Sequence, residues 1–71
     1  MGHMVESELV ANVIAVQVEA GAKISAGDEL VLLESMKMEI PVLCEGSGTV
    51  TEVAVKPGDV IQAGDLIAVI D

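Results

Sequence analysis

Lys37 stands between two methionines in Glu34-Ser35-Met36-Lys37-Met38-Glu39, at the middle of a chain whose two halves repeat each other. A lysine amine on its long flexible stem becomes a nucleophile once neutral, and a residue at the junction of two repeats falls on a turn that points it into solvent. Little else in the chain can do chemistry. Its one histidine, His3, lies among the first residues, and no Ser, Cys or paired carboxylate has a base at usable spacing. Met36 and Met38 would usually fill a core, but on a two-residue turn they cannot both point inward. Exposed and polarisable, they read as a recognition surface, with Ser35 inside the same stretch and Glu34 and Glu39 as its acidic flanks.

Such a lysine needs elements that hold its turn in place. Setting residues 12–34 against 49–71 at an offset of 37 pairs Val13/Val50, Val16/Val53, Val18/Val55, Gly21/Gly58, Ile24/Ile61, Ala26/Ala63, Gly27/Gly64 and Asp28/Asp65. A Val-, Ala- and Gly-rich chain can match itself by chance. Chance does not easily keep Ala-Gly-Asp and an upstream glycine in register together, and glycines recur where a shared backbone demands them. The pattern predicts a duplication, with Lys37 at the junction and the termini meeting at the opposite end.

Helical periodicity is absent, whereas β-branched residues and evenly spaced turns dominate, so the chain reads as all-β. Strands are expected near residues 7–11, 13–18, 23–25, 29–34, 38–43, 49–55, 60–62 and 66–70. Lys56-Pro57-Gly58-Asp59 has the proline and glycine of a type II turn, and Glu19-Ala20-Gly21-Ala22 is its counterpart. Leu30-Val31-Leu32-Leu33 breaks the inside-outside alternation and must be covered on both faces or touch a partner. Two quasi-symmetric four-stranded halves are expected to pack or interlock into a flattened eight-stranded barrel or sandwich that closes its edges.

Size and charge narrow the function. A chain of 71 residues is one small domain, without room for an enclosed active site. Twelve Asp+Glu against three Lys+Arg give a net charge of −9, which repels nucleic acid and anionic membranes. No apolar run is long enough to span a bilayer, and the first ten residues lack a signal-peptide core, so a soluble protein is expected. The single Cys44 has no disulfide partner and reads as a small core residue in a reducing cytoplasm. Residues 1–4 (Met1-Gly2-His3-Met4) read as a cloning remnant and start, leaving 5–71 as the domain.

With Met-Lys-Met at the repeat junction, residues 8–71 resemble the biotinyl/lipoyl attachment family, and the tip is similar to its biotin branch. The resemblance implies a barrel-sandwich hybrid and covalent biotin on Lys37, attached by a biotin protein ligase. It implies a non-catalytic carboxyl carrier serving the biotin carboxylase and carboxyltransferase components of a biotin-dependent carboxylase. The ligase would supply the base that frees the amine, and the activated acyl donor. The alternative is a lipoyl carrier of a 2-oxo acid dehydrogenase or glycine cleavage system, a branch whose tip typically reads Asp-Lys-Ala. Some biotin carriers insert a protruding thumb, for which Val16 to Gly27 leaves no space here.

Overall fold

Turn residues divide the chain into eight short strands, and the computed structural model, which describes residues 3–71, arranges them as two antiparallel sheets. In order they are β1 (His3–Glu6), β2 (Ala11–Val16), β3 (Lys23–Ile24), β4 (Glu29–Ser35), β5 (Met38–Leu43), β6 (Gly48–Val53), β7 (Val60–Ile61) and β8 (Leu66–Ile70). One sheet runs β1-β8-β6-β3 and the other β5-β4-β2-β7. Replacing each strand by the one four places along converts the first order into the second. Each sheet therefore draws two strands from each repeat, and neither half folds as a unit alone.

The duplication persists in fine detail. Gly21 N donates to Val50 O at 2.7 Å, and Gly58 N donates to Val13 O at 2.9 Å. Ser25 N donates to Asp28 Oδ2 and Gln62 N to Asp65 Oδ2, each at 2.8 Å, which explains the shared aspartates. Even the irregularities repeat. The ladders skip Leu30 in β4 and Ile67 in β8, 37 residues apart. A bulge turns two consecutive side chains toward the same side, so Leu30 and Val31, like Ile67 and Ala68, are all 0% exposed. The broken alternation at Leu30–Leu33 is thus a bulged strand buried between β2 and β5, with no partner required.

Leu30, Leu33, Ile67, Val31 and Val50 are the largest fully buried side chains and form the centre of the core between the sheets. Cys44 is buried at its margin, its thiol turned to the Gly46 carbonyl, as expected of a small core residue. Gly48 admits no side chain. A Cβ there would lie 2.9 Å from the Asp71 carbonyl oxygen and from Ile70 Cγ2, so the glycine lets β6 approach β8 where the chain ends.

Three expectations need correction. The first strand is His3–Glu6, not 7–11: Ser7 folds back through its hydroxyl to the Leu9 carbonyl at 2.6 Å and turns residues 7–10 into a link. Its residues His3 and Met4 pair with Ile70 and Val69, while residues 1 and 2 lie outside the described residues. The second and sixth strands end earlier than expected, at Val16 and Val53. Nor do the edges close: β1, β3, β5 and β7 are the outer strands of two separate sheets. Pro41, which has no N–H to offer, blunts the β5 edge.

Candidate functional site

The β4–β5 hairpin closes through a two-residue turn. Ser35 pairs with Met38 across it, and the residues between them, Met36 and Lys37, have φ of 53° and 65°. Positive φ at both central positions is the type I′ turn, whose handedness suits twisted strands and which ordinarily carries Asn-Gly. Holding a side chain in this region costs on the order of 1 kcal/mol per residue. Met36 and Lys37 are the non-glycine residues with positive φ among those described. Sequence reading placed the turn but not this strain, because neither residue type signals it.

The strain displays the apex. Met36 is 91% exposed and Met38 61%, and Lys37 is exposed between them. Glu34 and Glu39 are direct cross-strand partners, both exposed, so a pair of carboxylates stands at the base of the turn. Ser35 is half-buried and acts differently from its neighbours: its hydroxyl donates to the Val10 carbonyl at 3.1 Å, fastening the root of the hairpin to the 7–10 link. That link is itself held by Ser7, which is buried. Ser7 and Val10 were not foreseen as supports. The available signal was the offset, which makes Ser7 the counterpart of Cys44, also buried and also bonded to a carbonyl two residues on.

No wall surrounds the lysine. A shallow groove of about 560 Å³ is lined by residues of 16–24 with Asp28 and Glu29. Another of about 750 Å³ runs between the β1 and β5 edges. Neither is lined by any of residues 34–39. Among the described residues no group of His, Cys, Asp and Glu is placed to hold a metal ion, and no helix is long and apolar enough to cross a membrane. The link 17–22 between β2 and β3 is a short turn without a thumb. What the geometry offers is one amine at the apex of a braced hairpin.

The same design recurs in known proteins. Residues 1–70 match the biotin/lipoyl family model, described as "Biotin-requiring enzyme". The chain belongs to this family. It is 61% identical over 70 residues to the biotinylated protein TB7.3 homolog of Mycobacterium leprae, with 99% of both chains covered. It is also 43% identical over 67 residues to pyruvate carboxylase of Bacillus subtilis, covering 94% of this chain and 6% of that much longer enzyme. The crystal structure of urea carboxylase from Kluyveromyces lactis contains the fold at a TM-score of 0.92, with 34% identity over 100% of this chain and 6% of that one. The expected all-β architecture and the family resemblance both stand.

Proposed function

We propose that Lys37 is the residue to which biotin is attached, and that the domain is a non-catalytic carboxyl carrier for a biotin-dependent carboxylase. The observation that carries this reading is the exposed lysine at a strained apex between two exposed methionines, in a family member most of whose length is shared with a biotinylated protein. The site fits the group: an amide on an open apex displaces nothing. Bound biotin supplies a carrier for a carboxyl group.

The chain's own contribution is presentation. Once the ligase removes a proton from the ammonium, Lys37 Nζ attacks the carbonyl of the activated acyl donor, forming the amide as the activating group leaves. Met36 and Met38 give the ligase apolar surface on either side of that amine. Ser35 braces the root through Val10, and Glu34 and Glu39 set an acidic flank. A tethered group then serves two active sites at a high effective concentration set by the reach of its arm. Those sites belong to the biotin carboxylase and carboxyltransferase partners. Every residue used lies within 5–71, the unit to which we assign the carrier role; His3 and Met4 add pairing to β8. The unpaired, buried Cys44 suits a reducing cytoplasm, where we place the protein.

Intact mass from cells with an active biotin ligase tests this reading. A single biotin adduct is expected, mapped by peptide analysis to Lys37 and lost in Lys37→Ala with the fold intact. A lipoyl mass, or biotin on Lys23 or Lys56, overturns it.

A further inference from the structure

The two ends of the molecule are built on the same backbone, so residues 37 apart can be compared as one position filled twice. At the apex end the register runs Glu39, Glu34, Asn12, Val60 across four neighbouring strands. Directly opposed residues share a face, and all four are exposed. At the other end the same row runs Asp71, Thr49, Lys23. Val60 thus corresponds to Lys23. Val10, whose carbonyl receives Ser35, corresponds to Ser47.

Val60 is 68% exposed and Val10 60%, while Lys23 and Ser47 are exposed polar residues at the matching places. The fold therefore does not require an apolar side chain at either position. Two valines have been put in water at the end that carries Lys37 and omitted from the end that does not. Together with Met36 and Met38 they lie at the end of the molecule that carries the apex and that also bears Glu34 and Glu39, both exposed. Val60 lies two strands from Glu34, about 10 Å away.

Resting on the reading of Lys37 as the biotin site, we infer that Val10 and Val60 form part of the docking surface for the biotin protein ligase, which meets it with an apolar patch bordered by cationic side chains. The choice of the ligase follows from reach. A bare lysine must bring its own amine to an acyl donor inside another protein, so the body of the domain has to press against that protein. A loaded arm is longer, and lets the body stand off from the carboxylase sites. Contacts at the base of the lysine thus belong to the step in which the arm is still short. The acidic rim makes the encounter dependent on cationic groups and on salt.

The test exchanges the residues of the two ends. Val10→Ser with Val60→Lys installs the residue types that the same backbone already carries at Ser47 and Lys23, so the fold should hold, checked by circular dichroism. With a purified bacterial biotin protein ligase, ATP and biotin, KM for the double variant should rise about tenfold or more, with kcat within about twofold. The wild-type KM should rise with ionic strength. The far-end pair Ser47→Val with Lys23→Val should leave KM unchanged, and double-variant protein already carrying biotin should be carboxylated by biotin carboxylase at the wild-type rate. An unaltered KM overturns the inference, as does an equal rise in the far-end variant. Normal ligase kinetics with impaired carboxylation would move the surface to the carboxylase. A wild-type chain that takes no biotin is a different failure, of the attachment reading itself.

Discussion

At Gly21, Gly27, Gly58 and Gly64 the chain reverses with φ between 91° and 96° on a residue that has no Cβ, whereas at the apex it enters left-handed space with Met36 at 53° and Lys37 at 65°. The glycine turns come in matched pairs and serve the fold, since each repeat uses them to return its strands to the sheets. The apex instead uses two residues that carry side chains, at the junction between the repeats. It is also where residue choice departs from what the backbone prefers. The difference separates two demands on one kind of geometry: where only the reversal matters the residue is glycine, and where a side chain must be displayed the strain is kept.

Displacing the displayed side chain is expected to have the largest effect. Met36→Lys with Lys37→Met keeps the composition, the charge and the turn length, but puts the amine on the other central residue of the turn. Misplacement of a reacting group by an ångström or more can reduce rates by about a hundredfold, and biotinylation of this variant should fall by at least that much. Labelling at the wild-type rate in a ligase assay would show that an accessible lysine is enough and that the apex geometry has no role in selection.

On the other side of the comparison, Gly58→Ala should cost stability and leave modification alone. A Cβ added at Gly58 would meet nothing within 4 Å, so the penalty comes from the φ of 96° and amounts to about 1–2 kcal/mol. For a domain of this size that lowers Tm by roughly 4–8 °C per kcal/mol. The chain has no Phe, Tyr or Trp, so calorimetry or far-UV circular dichroism is the measurement. Gly21→Ala should match it closely, the two sites being equivalent by repeat. A large disparity between them would mean that one half of the fold tolerates the strain for reasons the symmetry does not contain.

The legible parts of this molecule are those that the sequence states twice. The offset of 37 placed the glycine turns, the core valines Val13 and Val50, the Asp28 and Asp65 caps and the lysine at the junction. Features without a repeated or typed signal were missed. His3–Glu6 precedes the aligned segments and has no repeated signal, so the sequence points to a first strand over residues 7–11, where Ser7 in fact binds the Leu9 carbonyl. Consecutive apolar residues at Leu30-Val31 and Ile67-Ala68 reflect bulges, which alternation alone cannot distinguish from a strand covered on both faces. Val10 and Val60 looked like ordinary apolar positions until the register placed them at the lysine end, opposite Ser47 and Lys23.

The smallest expected effect lies at the apex itself, where the two demands can be set against each other in one residue. Met36 is 91% exposed, so truncating it forfeits almost no burial, while its φ of 53° is one that asparagine adopts far more readily. Met36→Asn should therefore stabilise the domain by about 0.5 kcal/mol, raising Tm by roughly 2–4 °C. The same change removes one of the two apolar groups beside Lys37 and should lower the efficiency of biotinylation, with Lys37 still present and still exposed. Stability and modification then move in opposite directions, as expected if the strain is retained for recognition. A Tm at or below the wild-type value would mean that Met36 contributes to the fold in some way that its exposure conceals. A gain in stability with no loss of modification would leave Met38 and the lysine as the recognised pair and remove Met36 from the site.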